Sequence, residues 1–289
     1  MKHLIRNCTC LIWLVIFLSA CQQIPTAISP SITPLITQTP TMVPTQTAVP
    51  TAVPCQEKTG TIEQATFQSS LLGKEFQLQV YLPACYASEG GNLFPVLYLL
   101  HGQTYTDDQW IRLGAGEVAD RLINEGERAP FLMVMPFDED NLLPTADSKF
   151  GQAIVEELIP WIDGNYKVCS EKKCRAIAGL SRGAGWAIRL SLSHPELFES
   201  AAAHSLPSFN GDDQQIPIWL EGVSLNDLPR IWMDSGRSDI FLPQAKKFET
   251  ALTTNQVPHE FYVYAGYHDE KYWQEHMEEY ISWSTLTWK

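Results

Sequence analysis

The chain of 289 residues is 45% hydrophobic and 18% charged, with a formal net charge of −13. That is ordinary globular composition, and the length fits one large domain or two small ones. The acidic balance and the lack of any Lys/Arg cluster exclude nucleic acid as a partner, because phosphate binding needs a concentrated basic surface.

In chain order, Lys2 and Arg6 precede an apolar run from Leu11 to Leu18 that is too short for an ordinary membrane-spanning helix. Leu18-Ser19-Ala20-Cys21 comes next. This tetrad resembles the lipobox of bacterial lipoproteins. The resemblance implies a signal peptide over 1–20, lipidation of Cys21, and a protein held on the outer face of a bacterial cell membrane, extracellular or periplasmic. The plainer alternative is an ordinary signal peptide or an uncleaved anchor. Residues 22–54 carry seven prolines, many threonines and no charged residue. Such a segment cannot bury a core and favours an extended chain. At ~3.1 Å per residue it reaches on the order of 100 Å, so 21–54 reads as a stalk beneath a catalytic domain over 55–289.

Cys8 and Cys10 leave with the signal, and Cys21 takes the lipid. Four cysteines then remain in an oxidising compartment, which favours disulfides. Cys169 and Cys174 are five apart in a polar loop and pair with each other; Cys55 pairs with Cys85 by elimination. The alternative, a zinc site, lacks both a C-x-x-C pair and a nearby His, so no metal is expected.

Within 55–289, residues 75–82 (EFQLQVYL) alternate apolar and polar, as a half-buried antiparallel edge strand does. Residues 95–100 and 130–136 are short apolar runs that suit strands buried on both faces, as are 175–180, 200–204, 230–234 and 260–264. Helical patterns lie near 116–125, 149–163, 183–193, 243–255 and 271–283. Strand–helix alternation over some 200 residues predicts an α/β protein with one doubly wound, mostly parallel sheet.

Residues 175–189 (RAIAGLSRGAGWAIR) run from an apolar strand through a glycine-flanked serine into a helix. This is G-x-S-x-G in the context that makes it a nucleophile turn. The sharp turn leaves no room for side chains at 179 and 183, and lifts Ser181 to a helix N-terminus, where developing negative charge is favoured. A serine nucleophile needs a base, and the base a carboxylate to fix its tautomer. His268 follows the last strand, at the catalytic end of the sheet. His276 lies in a helix, His259 precedes its strand, and His194 precedes Pro195; His204, at a strand end, is the rival. For the acid, Asp239 follows the strand at 230–234, with Asp234 second. The oxyanion donors are the backbone N–H groups of Arg182 and Gln103, and His101 shapes the loop between strand and donor.

On the residues VYLP (80–83), PVLYLLHG (95–102), Trp110, VMP (134–136), ELIPWID (157–163), AIAGLSRGAG (176–185), HPELF (194–198), SGRSD (235–239) and Gly266-Tyr267-His268, the domain resembles the esterase D and feruloyl-esterase branch of the α/β-hydrolases. The likeness runs from about 62 to 285. It implies the α/β-hydrolase fold, with helices on both faces of the sheet, and a Ser181–His268–Asp239 triad. One departure is that the family usually has Met and two glycines after the nucleophile, where Arg182-Gly183-Ala184 stand here. The Arg182 side chain is expected to pair with a nearby carboxylate rather than with an acidic substrate group.

The reading is a serine esterase that hydrolyses carboxylic esters through an acyl-enzyme, without metal or organic cofactor. Its substrate is a carbohydrate-linked acetyl or feruloyl ester, or another extracellular small ester. Tyr105, Trp110, Trp186 and Trp219 are the candidate sugar or aryl platform. The alternatives are an acyltransferase and a noncatalytic surface protein that binds ligands on a hydrolase fold.

Overall fold

The computed structural model describes residues 55–88 and 90–289; the expected signal peptide, Cys21 and stalk lie outside them. The strands are β1 (Thr61–Ser69), β2 (Lys74–Leu82), β3 (Val96–Leu100), β4 (Leu132–Pro136), β5 (Arg175–Leu180), β6 (Ser200–His204), β7 (Arg230–Gly236) and β8 (Glu260–Tyr264). They form one sheet in the order β1-β2-β4-β3-β5-β6-β7-β8. β1 and β2 form an antiparallel hairpin, β2 meets β4 antiparallel, and every later pairing is parallel.

Helices cover both faces: α1 (Gln109–Arg112), α2 (Ala115–Asn124), α3 (Phe150–Ala153), α4 (Ile159–Asn165), α5 (Arg182–Ser193), α6 (Asp212–Trp219), α7 (Leu242–Thr254), α8 (Glu270–Glu275) and α9 (Met277–Ser284). Burial follows the two-residue period of a strand. In β3, Val96, Tyr98 and Leu100 pack with Phe150, Ile154 and Trp186 on one face. Leu97 and Leu99 pack with Leu122, Tyr280 and Ile281 on the other. Because both faces are covered, β3 and β4 are buried at every position, as expected of the centre of a parallel sheet.

Four expectations are corrected. The alternating segment at 75–82 is not the sheet edge, since β1 lies outside it. β1 is missing from the sequence reading because an edge strand wetted on both faces carries little apolar alternation, and Thr61–Glu63 are all exposed. β8 is half-exposed at the opposite edge rather than buried on both faces. The helix expected over 149–163 contains a π segment at Ile154–Leu158, where the Ile159 N–H reaches back five residues to Ile154 O. Pro160 has no N–H with which to continue the regular ladder. The helix expected over 271–283 is divided at His276 into α8 and α9.

Disulfides join Cys55 to Cys85 and Cys169 to Cys174, each with Cα atoms 5.7 Å apart. Among the described residues no helix is long and apolar enough to cross a membrane. The parallel order brings the C-terminal ends of β3, β5, β6, β7 and β8 to one side of the sheet. There the loops after the strands meet, as is usual for sites in open α/β sheets.

Candidate active site

Ser181 sits between β5 and α5 with φ 52° and ψ −120°, a backbone state that costs a non-glycine residue of order 1–3 kcal/mol. The strand and helix must pass within contact of each other to make this turn. A Cβ on Gly179 would lie 2.1 Å from Gly183 backbone atoms, and one on Gly183 would lie 2.1 Å from Leu100 O. The two glycines are therefore required by close approach. The turn is held from below, where the Ser181 N–H donates to His204 O (2.9 Å) and the Gly185 N–H to Ser181 O (3.1 Å).

His268 arrives from the loop after β8. Its Nε2 lies 2.8 Å from Ser181 Oγ, and its Nδ1 lies 3.0 and 2.9 Å from the two carboxylate oxygens of Asp239. Asp239, in the turn after β7, is buried. Burial pushes its carboxyl up, but hydrogen bonds from His268 Nδ1 and the Phe241 N–H hold it below the ordinary carboxylate range. It therefore stays ionised and accepts the Nδ1 proton, which leaves Nε2 free to take the proton of the Ser181 hydroxyl. The imidazole edge meets Phe241 (4.8 Å) and Trp273 (5.3 Å), and these rings shield it from water.

Gln103 and Arg182 border the same cleft as Ser181. The amides flanking Gln103 are committed: Gly102 N–H donates to Gln109 Oε1 (2.8 Å) and Thr104 N–H to Asn141 Oδ1 (3.2 Å). The Gln103 N–H between them has no acceptor among the described residues. The Arg182 N–H opens α5, where helix amides have no partner within the helix. The loop bearing Gln103 is fixed by buried His101. The Asp138 N–H donates to His101 Nε2 (2.9 Å), so the ring proton is on Nδ1 and goes to Gly102 O (2.7 Å). Burial lowers the His101 pKa to about 4.

The Arg182 side chain turns into the protein. Its Nε donates to Asp138 Oδ2 (3.3 Å), with both side chains at most 10% exposed. Burial pushes the Asp138 carboxyl up, and Arg182 partly offsets this. The carboxylate partner expected for Arg182 is thus Asp138, on the loop after β4.

The cleft, about 290 Å³, is bordered by Gln103, Thr145, Ser181, Arg182, Pro207, Ser208, Phe209, Asn210 and Phe241. It is large enough for one small acyl group. None of the four aromatics expected to form a platform lines it, and each corrects that expectation. Trp110 is fully buried, with its indole N–H on Leu100 O (3.1 Å). Trp186 is buried between Phe150 (6.0 Å) and Phe209 (5.1 Å). Trp219 packs against the core under α6, and Tyr105 lies edge-on to Trp273 (6.3 Å). Large rings gain most from burial; the core claims Trp110 and Trp186, while Trp219 and Tyr105 are partly buried against its margins. The rings at the cleft are Phe209 and Phe241, which periodicity could not single out because both lie in irregular segments.

The rival candidates are accounted for by each other. His204 Nδ1 lies 2.6 Å from Asp234 Oδ1, both residues wholly buried, behind the triad rather than in it. Ser205, whose Oγ accepts from Trp273 Nε1 (3.0 Å) behind His268, had no signal in the sequence.

Comparison with known proteins places the chain among esterases. The model of the esterase family described as "Putative esterase" matches residues 69–283. An endo-1,4-beta-xylanase/feruloyl esterase of Xylanibacter ruminicola is 37% identical over 154 residues, 48% of this chain and 20% of that protein. The chain thus matches only a fifth of that relative's length. Among solved structures, a ferulic acid esterase superposes with TM-score 0.70 at 25% identity, covering 80% of this chain and 99% of the other. A feruloyl esterase module from Clostridium thermocellum, complexed with sinapinate, gives 0.68 at 18% identity, covering 81% and 90%. The fold is that of the α/β-hydrolases.

Proposed function

From the premise that the chain belongs to this esterase family, we propose that it is a serine hydrolase of carboxylic esters working through an acyl-enzyme. The observation that carries the reading is the continuous contact from Ser181 Oγ through His268 to Asp239, at 2.8 and 2.9 Å, on a strained turn at a helix N-terminus. His268 Nε2 takes the Ser181 proton as Oγ attacks the ester carbonyl, and Asp239 stabilises the imidazolium. The Gln103 and Arg182 N–H groups hold the oxyanion, preorganised donors whose removal costs about 10²–10³ in rate. His268 then protonates the departing alkoxide. A water molecule, deprotonated by the same nitrogen, releases the acid and restores Ser181.

The acyl group sits between Phe209 and Phe241, with Thr145, Ser208 and Asn210 offering hydrogen bonds. An aromatic acid on a carbohydrate alcohol, such as feruloyl, fits these walls, and acetyl fits by size. The likeness to a feruloyl esterase of Xylanibacter ruminicola supports this class. Export and lipid anchoring through Cys21 are part of the same proposal. Leu18-Ser19-Ala20-Cys21 after an apolar run supports them, and disulfides are at home in an oxidising compartment.

Ser181→Ala tests the reading on p-nitrophenyl acetate, with methyl ferulate and acetylated xylan as further substrates. Turnover is expected to fall by orders of magnitude with an unchanged unfolding transition. Retention of more than about one percent of wild-type activity would rule Ser181 out as nucleophile.

A further inference from the structure

We propose that the buried His204–Asp234 pair is a positioning unit, which fixes the loops carrying Ser181, Asp239 and His268 relative to one another. The inference rests on the assignment of those three residues as catalytic. Both members of the pair are wholly buried. Beyond the 2.6 Å bond to His204 Nδ1, Asp234 accepts through Oδ2 from Tyr272 Oη (2.5 Å) and Tyr280 Oη (3.0 Å). The His204 ring stacks on Tyr280 at 3.5 Å and meets Trp232 and Trp110 edge-on, while its Nε2 has no hydrogen-bond partner.

Stability alone does not account for such a cluster. Taking a carboxylate and an imidazole out of water is costly, and apolar groups of the same volume are often as stable or more so. What a buried polar network adds is direction, because each donor and acceptor it pairs has one place to be. This one reaches all three catalytic loops.

The nucleophile turn is tied to it by the Ser181 N–H on His204 O (2.9 Å). The acid is tied to it through β7, where the Asp239 N–H donates to Gly236 O (3.0 Å), two residues past Asp234, and the residue after His204 is tied to the same strand. The Ser205 N–H donates to Asp234 O (2.8 Å), which fixes Ser205 at φ 55°. Its Oγ accepts from Trp273 Nε1 (3.0 Å), whose ring meets the His268 imidazole at 5.3 Å. The histidine loop is tied through α8. The Tyr272 N–H is capped by Asp269, the neighbour of His268 (2.9 Å). The Tyr272 ring lies against Gly266, where a Cβ would come within 2.3 Å of it. Gly266 O in turn accepts from the Ser238 N–H (2.9 Å) beside Asp239. A shift of Asp234 therefore moves acid and base together.

The test compares the full chain with Asp234→Asn and Tyr272→Phe. Asn keeps the shape but loses the charge and one acceptor, and Phe deletes one hydroxyl and keeps the ring. On p-nitrophenyl acetate, Asp234→Asn is expected to lower kcat about 10- to 100-fold with KM within about twofold, and Tyr272→Phe to lower it about threefold to tenfold. In proton NMR without substrate, the downfield His268 Nδ1–H resonance, identified by its loss in His268→Ala, is expected to move upfield in both variants. A purely structural role would lower the unfolding midpoint while leaving kcat per folded molecule and the resonance unchanged, and that result overturns the proposal. If Asp234→Asn does not fold, Tyr272→Phe and Tyr280→Phe decide on the same two readouts. A wild-type protein without turnover on any ester would overturn the catalytic assignment instead, and the resonance would still decide the positioning.

Discussion

Acidification should loosen this protein through one histidine in particular. His101 is 4% exposed, and burial lowers its pKa from 6.5 to about 4. The folded state therefore prefers the neutral ring, while the unfolded chain takes up a proton near pH 6.5. Between pH 6.5 and about 4 the unfolded state binds more protons, so stability falls as pH falls across that window and levels off below it. At about 1.4 kcal/mol per pH unit, the window from 6.5 down to about 4 amounts to about 3 kcal/mol, a large part of the ~5–15 kcal/mol that holds a typical domain. The neutral ring is also the form the structure requires, since Nε2 must accept from the Asp138 N–H. Urea unfolding of wild type and His101→Gln at pH 7, 5.5 and 4 measures the effect. Carboxylates titrate in both proteins, so the difference between the two isolates His101. The wild-type advantage should shrink by about 3 kcal/mol between pH 7 and 4. Parallel pH dependences would refute the reasoning.

Two further substitutions test the surroundings of Ser181. In Gly183→Ala the new methyl meets Leu100 O at 2.1 Å, and backbone cannot step aside as a side chain does. Stability should drop by about 1–3 kcal/mol. As the loop bearing Gln103 is displaced, kcat should fall about 100-fold, both read from urea unfolding and steady-state rates. Arg182→Met strands the buried Asp138 carboxylate without its partner, which should cost about 3–5 kcal/mol. Adding Asp138→Asn should return most of it. If the double variant is no more stable than the single, Arg182 is not there to neutralise Asp138.

Much of the site was legible because its chemistry is local. Gly179, Ser181 and Gly183 lie within five residues, and the strand before and helix after them follow from short-range patterning. Asp239 and His268 were found by the same logic, each as a polar residue in the loop that follows a strand at the same end of the sheet. The strands of the parallel sheet were clear for a related reason: burial on both faces leaves an apolar run with no polar interruption. β1 escaped because an edge strand in water carries no such mark.

What the sequence determined by itself is thus whatever depends on neighbours in the chain: the nucleophile turn, most of the strands, and the order of serine, acid and histidine. The tertiary structure decided the rest. It chose His268 over His204 by sending the latter to Asp234, and it paired Arg182 with Asp138, 44 residues away. It also drew Trp110 and Trp186 into the core and left Phe209 and Phe241 at the cleft. The physical reason is common to these outcomes. A buried polar group must find its partner and a large ring its burial, and which partner or core is within reach is set by the packing of distant segments.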